Sequence, residues 1–273
     1  MRRSDWETGL PAVRRELTER WRLTVDSPFA HDGECSWVAP AHTALGEPVV
    51  LKLGWWHSEA LHEPDALRLW QGNGAVRLHA SAELHGTIAL LLERCRPGTL
   101  LRSVREPEQD VVVAKLLRRL WIRPPEGHPF RPLHQMCDQW AAGFDERLAT
   151  NPGVLDPGLA REGRRLWVSL PRSSARNVLL CTDLHAGNIL AAGREPWLAI
   201  DPKPYLGDPA YDVLQHMLNC DDRLAVDPAG LAARMADLLD LDRERVRLWL
   251  FARCVVESHY QQLGPAVAER LAP

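Results

Sequence analysis

The sequence changes character around Arg96-Pro97-Gly98, and this change constrains the fold more than any other feature. From residue 31 to residue 96, short apolar runs typical of β-strands alternate with turns that contain glycine. After residue 98, long stretches carry apolar residues at helical spacing, and Gly and Pro clusters separate most of them. The sequence therefore predicts an α+β chain with a small sheet-rich lobe followed by a larger helical lobe.

We expect residues 1–93 to form the first lobe, led by an amphipathic helix within 1–30, residues 94–98 to form a hinge, and residues 99–273 to form the helical lobe. The predicted strands of the first lobe are 36–39, 49–53, 76–80 and 87–93, with a helical segment between 55 and 70. The predicted helices of the second lobe are 107–121, 131–149, 156–170, 209–220, 228–240 and 242–262. A β-rich island interrupts these helices at 177–181, 188–190 and 197–201.

Composition excludes several classes of protein. The net charge of −3 gives no electrostatic reason to expect a nucleic acid partner. No stretch approaches 18 apolar residues, so we expect no membrane span. The amino terminus lacks the apolar core of a signal peptide, and the six cysteines include no Cys-x-x-Cys pair. We therefore expect a cytoplasmic protein with free thiols, a monomer or a weak dimer.

Polar residues cluster between two apolar strands of the β-rich island. The segment from Cys181 to Leu190 reads Cys-Thr-Asp-Leu-His-Ala-Gly-Asn-Ile-Leu, and a later strand ends in Asp201. A carboxylate and a carboxamide are oxygen ligands that Mg²⁺ accepts. Asp183 and Asn188, followed by a strand-terminal Asp201, have the spacing of a protein-kinase catalytic loop and its second metal ligand.

These motifs resemble the aminoglycoside phosphotransferases. The resemblance is strongest to the subgroup with streptomycin 6-phosphotransferases and hydroxyurea-inactivating kinases, and it covers residues 26–262. Its supporting segments are 181–190, Ile-Asp-Pro-Lys-Pro at 200–204 and Gly-Asp-Pro-Ala-Tyr-Asp at 207–212. The resemblance implies a two-lobed protein-kinase-like fold, with a small antiparallel-sheet N-lobe and a helical C-lobe, that uses ATP and Mg²⁺.

By the same resemblance, Asp183 is the catalytic base, and Asn188 and Asp201 bind magnesium. Simpler interpretations are a turn or cap carboxylate for Asp183, a left-handed turn residue for Asn188 and an Asx-turn for Asp201. His185 is expected to brace the loop, since it lacks partners at zinc-ligand spacing. Asp208 suits a helix N-cap before Pro209, and the resemblance implies that Asp208 and Asp212 both brace the catalytic loop.

The first lobe is expected to hold the nucleotide. Lys52 lies within an apolar strand, where an isolated charge is costly, so it needs a carboxylate partner on the following helix. The resemblance favours Glu63, with Glu59 in reserve, and a strand lysine paired with a helix glutamate holds the α- and β-phosphates in kinases. The alternative is a solvent-facing lysine on an edge strand. The remaining predicted nucleotide contacts are the loop residues Gly33 and Ser36 and the hinge backbone at Glu93 and Cys95.

A cationic acceptor would need carboxylates near Asp183. The candidates are Asp138, Asp145, Asp221, Asp222 and Glu257, each of which could equally be a solvated surface charge. Trp140 and Trp249 could stack on a guanidinium, although core packing accounts for tryptophans equally simply.

The resulting hypothesis is an ATP-dependent kinase that inactivates an aminoglycoside antibiotic, with the 6-hydroxyl of streptomycin as the first choice. Hydroxyurea or another small hydroxylated metabolite is an alternative acceptor. A non-catalytic nucleotide-binding protein would normally lack the strand lysine, the base or a metal ligand, and all of these are present. A metallohydrolase built on Asp183, His185 and Asp201 is a further alternative.

Overall fold

The computed structural model describes residues 2–30, 35–57, 61–151, 153, 155–260 and 263–273. These residues form two compact units. The first unit comprises Met1–Thr99 and Leu190–Lys203, and the second comprises Leu100–Ile189 and Pro204–Pro273. The predicted boundaries differ in two respects. The predicted hinge at 94–98 and Thr99 fall within the first unit, and so do residues 190–203, which were predicted to belong to the helical lobe.

The helices are α1 Arg3–Arg20, α2 Glu63–Trp70, α3 Glu106–Leu120, α4 Leu133–Thr150, α5 Pro157–Ser169, α6 Pro209–Asp212, α7 Leu214–Met217, α8 Asp221–Val226, α9 Pro228–Leu239, α10 Arg243–Val256 and α11 Gly264–Leu271. The strands are β1 Thr24–Val25, β2 Ser36–His42, β3 Pro48–Trp55, β4 Leu78–Leu84, β5 Thr87–Glu93, β6 Val178–Leu180, β7 Ile189–Ala191, β8 Trp197–Ala199 and β9 Tyr205–Gly207.

The first unit is built on a five-stranded antiparallel sheet in the order β1-β2-β3-β5-β4. Apolar residues alternate along β3, and one set packs with the buried face of α1 in a shared core. Val13 and Leu17 of α1 meet Val49, Leu51 and Leu53 there. The amphipathic helix predicted at the amino terminus is therefore present, and it covers one face of the sheet.

The β7–β8 hairpin joins the first unit through backbone and side-chain bonds. The Ala199 N–H donates to the Gly74 carbonyl at 2.9 Å, and the Val76 N–H donates to the Ala199 carbonyl at 3.0 Å. In the hairpin turn, the Arg194 guanidinium donates to both carboxylate oxygens of Glu93, at 2.9 Å each. These bonds explain why residues 190–203 belong with the sheet and not with the helices that flank them in sequence.

The second unit is predominantly helical, and α10 lies at its core. Trp249, Leu250 and Phe251 of this helix are fully buried. A two-stranded antiparallel sheet of β6 and β9 pairs Val178 with Gly207. The single helix predicted over 209–220 is instead two short helices, α6 and α7, and α10 ends at Val256 rather than at 262. Apolar spacing indicates helical segments here but does not reveal such breaks.

Candidate active site

Lys52 lies on the central strand of the first unit's sheet. β3 is paired with β2 on one side and β5 on the other, and Lys52 is only 8% exposed. Its Nζ lies 2.8 and 2.7 Å from the two carboxylate oxygens of Glu63, the first residue of α2. It also contacts Oδ1 of Asp201. The structure thus places Lys52 against the expected partner, and the alternative of a solvent-facing lysine on an edge strand is wrong.

Asp201 follows β8 by two residues and adopts a left-handed backbone conformation, with φ 52°. Aspartate tolerates this conformation better than most residues. One carboxylate oxygen contacts Lys52, and the other lies 3.5 Å from Nζ of Lys203. The first unit therefore brings together two carboxylates and two ammonium groups from β3, α2 and the segment after β8.

Lys52 and Asp201 stabilise each other's charged forms in this cluster, whereas burial and the nearby charge of Asp201 raise the pKa of Glu63. Burial alone would lower the pKa of Lys52, but the negative charges of Asp201 and Glu63 outweigh it and raise that pKa. Burial alone would raise the pKa of Asp201, but the ammonium groups of Lys52 and Lys203 hold it well below its usual range. Asp201 is consequently ionised at neutral pH, as a ligand of a hard divalent cation must be.

Glu93, the last residue of β5, has a side chain that hydrogen bonds hold in place directly before the connector. The Glu93 carboxylate accepts hydrogen bonds from Arg194 and from the Arg77 N–H. Burial opposes ionisation of Glu93, but these hydrogen bonds lower its pKa overall. Two residues later, burial raises the pKa of the Cys95 thiol to about 11, so this thiol is protonated at neutral pH. The expected nucleotide contacts of Glu93 and Cys95 involve their backbone and remain predictions.

In the second unit, the residues of the predicted catalytic loop form a compact turn between β6 and β7. The Asn188 side-chain amide donates to the Asp183 carbonyl at 3.0 Å and approaches Asp183 Oδ2 at 3.4 Å. The Gly187 N–H donates to Nδ1 of His185 at 3.2 Å, and the Asn188 N–H donates to the His185 carbonyl at 2.8 Å. His185 thus braces the loop, as expected. Because Asn188 uses its amide nitrogen for Asp183, its Oδ1 is the atom that remains suited to a metal.

Asp212 fixes the start of this loop from a fully buried position. Its carboxylate accepts the N–H groups of Cys181 at 3.0 Å and Thr182 at 2.6 Å, and the indole N–H of Trp121 at 2.9 Å. Burial raises the pKa of Asp212 to about 6, although these three hydrogen bonds oppose that rise. Thr182 has a φ of 53°, a left-handed conformation that is unfavourable for a β-branched residue. The bond to Asp212 helps to hold it directly before Asp183.

Asp208 holds α6 in place through both of its carboxylate oxygens. One oxygen caps α6 by accepting the Ala210 N–H at 3.0 Å, as the Asp-Pro dipeptide predicted. The other accepts from Arg245 at 2.6 Å and from the indole of Trp249 at 2.7 Å. These contacts fasten α6 to α10, and the expected bracing of the catalytic loop by Asp208 remains a prediction.

The candidate acceptor carboxylates are not brought together in one group by their contacts. Asp138 pairs with Arg172, Asp145 with Arg164 and Glu257 with Arg253, each at 2.6 Å. Asp221 and Asp222 are exposed in the first turn of α8. The role of these five residues in acceptor binding remains a prediction. Each of the three paired carboxylates already contacts an arginine, so a cationic acceptor would have to share the carboxylate with that arginine.

The two candidate tryptophans differ. Trp249 is completely buried in the core, so it is not a surface for stacking. The guanidinium of Arg253 lies 4.4 Å from the ring centroid of Trp140, and this ring also stacks on Trp167.

Of the predicted nucleotide contacts, Gly33 and the reserve partner Glu59 lie outside the described residues. Ser36 begins β2 opposite Gly54.

Sequence reasoning did not identify two residues of the site region. Lys203 is part of the 200–204 segment that supports the family resemblance, but no role was predicted for it. A further signal is its rarity, since it is one of three lysines among 33 basic residues. Arg194 gave no signal, because arginine is the common basic residue of this chain and its partner Glu93 lies 101 positions away.

Comparison with known proteins decides the family. A model of the aminoglycoside/hydroxyurea antibiotic resistance kinases matches residues 20–262. The chain belongs to this family. It is 40% identical over 257 residues to a hydroxyurea phosphotransferase of Kitasatospora aureofaciens, covering 90% of this chain and 72% of that protein. It is 36% identical over 280 residues to a streptomycin 6-kinase of Streptomyces glaucescens, covering 96% of this chain and 88% of that protein.

The fold agrees with this membership. A crystal structure of an aminoglycoside phosphotransferase, in a ternary complex with ADP and hygromycin B, superposes with a TM-score of 0.60 at 14% identity, covering 95% of this chain and 97% of that one. The two-lobed, protein-kinase-like fold class expected from the sequence is thereby confirmed. As a member of this kinase family, the chain is an enzyme that transfers a phosphoryl group to a hydroxyl. Among the described residues, no helix has the length and apolar content to cross a membrane.

Proposed function

We propose that this kinase transfers the γ-phosphoryl group of ATP to a hydroxyl group of an aminoglycoside antibiotic, and that the 6-hydroxyl of streptomycin is its acceptor. The observation that carries the use of ATP is the buried ammonium of Lys52, held between Glu63 and Asp201. Such a fixed positive charge suits the α- and β-phosphates of a nucleotide. The similarity to a streptomycin 6-kinase over 88% of that protein supports the choice of acceptor.

Asp183 is proposed as the base. It accepts the proton of the acceptor hydroxyl while the acceptor oxygen bonds to the γ-phosphorus and the bond from that phosphorus to the bridging oxygen of ADP breaks. Asn188 orients Asp183 through the 3.0 Å bond to its carbonyl. Because phosphoryl transfer has a loose transition state, positioning and charge neutralisation provide most of the rate enhancement.

Asp201 and Asn188 are the residues that we propose to bind magnesium. The donor set fits, because Asp201 is held ionised by its lysine neighbours and Asn188 keeps its carbonyl oxygen for a ligand. A bound magnesium ion would supply charge neutralisation to the phosphates. Lys52 contributes a second positive charge from β3, and Glu63 fixes the direction in which that charge points.

Hydroxyurea is the second candidate acceptor, and the 40% identity to a hydroxyurea phosphotransferase favours it. The two candidates differ in charge. Streptomycin carries two guanidinium groups and requires carboxylates, whereas hydroxyurea is small and neutral. In this chain Asp138, Asp145 and Glu257 are each paired with an arginine, which reduces the negative charge available to a cationic acceptor.

The test is mass spectrometry of an aminoglycoside panel and of hydroxyurea after incubation with the protein, ATP and Mg²⁺. Addition of one phosphate to streptomycin, with fragmentation that locates it on the 6-hydroxyl, supports the proposal. If hydroxyurea alone is phosphorylated, the proposal of an aminoglycoside acceptor is refuted, but the assignment of kinase activity stands. The matched control is Asp183→Asn, which should reduce turnover about a hundredfold or more while nucleotide binding persists.

A further inference from the structure

Each carboxylate oxygen of Asp201 faces a lysine, and the two lysines are held differently. Lys52 contacts Oδ1 and is also bound by both oxygens of Glu63. Lys203 lies 3.5 Å from Oδ2, and its side chain is 27% exposed. The Asp201 side chain is 41% exposed. The ammonium on the Oδ1 side is thus held within a buried cluster, whereas the ammonium on the Oδ2 side belongs to the more exposed of the two lysines.

The backbone keeps Lys203 close to Asp201. Lys203 stands between Pro202 and Pro204, both of which are buried. Each proline fixes its own φ, and Pro204 also favours an extended conformation at Lys203, so the backbone around Lys203 has little freedom. The Lys203 side chain is more exposed than that of Lys52, so moving its ammonium away from Oδ2 displaces less of the surrounding protein.

A metal ion bound by Asp201 needs at least one of its oxygens. Oδ1 faces Lys52, which Glu63 also holds, whereas Oδ2 faces the more exposed Lys203, so Oδ2 is the oxygen at which a lysine is more readily exchanged for a metal. We infer that Lys203 is a positioning residue that occupies Oδ2 in the metal-free enzyme and is exchanged for magnesium. This inference rests on the proposed role of Asp201 as a metal ligand. It makes the free enzyme a weak site for a lone cation and favours metal that arrives with ATP, whose phosphates accept the released ammonium.

The experiment titrates the nucleotide-free protein with Mn²⁺ alone and follows the electron paramagnetic resonance signal of the unbound ion. In Lys203→Met and Lys203→Gln, we expect the Kd for Mn²⁺ to fall about threefold to tenfold, because a partly exposed ion pair and the repulsion of a like charge are both removed. Lys203→Arg keeps the charge and should stay near the wild-type value. Lys115→Met is the matched control, since Lys115 is exposed on α3, and it should leave the Kd unchanged.

Tighter metal binding is a change that general structural damage does not produce, so the direction of the effect is diagnostic. An unchanged or higher Kd in both neutral variants overturns the inference, because it means that Lys203 does not compete for Oδ2. Asp201→Asn separates this failure from failure of the proposed metal site. If Asp201→Asn weakens Mn²⁺ binding and the Lys203 variants do not strengthen it, only the exchange is refuted. If Asp201→Asn binds Mn²⁺ like the wild type, the assignment of Asp201 as a ligand fails as well.

Discussion

Replacement of Lys52 by methionine should destabilise the protein because it leaves a carboxylate buried without its cation. Glu63 is 4% exposed, and both of its oxygens lie within 2.8 Å of the Lys52 ammonium. Removing one partner of a buried ion pair costs about 3–5 kcal/mol, because the remaining charge is neither hydrated nor neutralised. We therefore expect the free energy of unfolding of Lys52→Met to fall by about this amount near pH 8, together with loss of phosphotransfer.

The size of this loss should depend on pH, since Glu63 can escape the penalty by binding a proton. Burial raises the pKa of Glu63, and Lys52 opposes that rise. Without Lys52, the pKa of Glu63 in the folded state rises further above its value in the unfolded chain. A carboxyl group with a raised folded pKa contributes stability at low pH that is lost as the pH increases through that pKa. The penalty should therefore be smallest in mild acid and increase towards pH 8.

A second substitution isolates the cause. In Lys52→Met with Glu63→Gln, the buried charge is gone, and we expect about 2 kcal/mol or more of the lost stability to return at pH 8. Kinase activity should stay absent, since the nucleotide-binding ammonium is still missing. The assays are urea unfolding at pH 6 and pH 8 and phosphotransfer with ATP, with Lys115→Met as the exposed-lysine control. Equal unfolding free energies for Lys52→Met and wild type at pH 8 would refute the reasoning.

Further predictions concern the loop and the hairpin. Asp212→Ala should lower stability by about 2–4 kcal/mol in urea unfolding, because one buried and two partly buried N–H groups lose their acceptor, and it should also lower kcat. Asp208→Ala should lower stability but leave the kcat of the folded enzyme unchanged, and equal effects of the two substitutions on kcat would contradict this distinction. Thr182→Gly should raise the unfolding free energy by up to about 1 kcal/mol while lowering kcat, because it relieves a left-handed conformation and loosens the loop. Arg194→Ala should weaken binding of ADP in calorimetry, because it removes the anchor between Glu93 and the hairpin that carries Asp201; unchanged affinity would exclude that role.

Local sequence was sufficient to anticipate the contacts that follow from short-range physics. An isolated charge in the apolar strand β3 requires a partner, and this argument predicted a carboxylate on the next helix. The family resemblance then favoured Glu63 over Glu59, and the structure pairs Lys52 with Glu63. The Asp-Pro dipeptide likewise predicted that Asp208 caps a helix. The α+β fold class followed from the change of periodicity near residue 97, because strand and helix patterns differ over a few residues.

Contacts between residues distant in sequence could not be anticipated in the same way. Arg194 joins Glu93 across 101 positions, and this bond assigns residues 190–203 to the first unit. The pairing of Asp145 with Arg164 across 19 positions, like that of Asp138, depends on how helices pack. A sequence shows which residues are acidic but not which of them an arginine neutralises. The carboxylates that bind the acceptor were therefore the part of the site that the sequence predicted least well.

The rarity of lysine in this chain is a feature of the sequence that also relates to a contact between residues distant in sequence. Only three of its 33 basic residues are lysines, and two of those three contact the same carboxylate of Asp201. An ammonium is a compact charge with three donors, so Lys52 can meet both Glu63 oxygens and Asp201 in a nearly closed space, where the larger planar guanidinium would need more room. At position 203, a single flexible ammonium can leave an oxygen more readily than a bidentate guanidinium. The exposed Lys115 shows that rarity alone does not mark a site; rarity together with a shared acidic partner does.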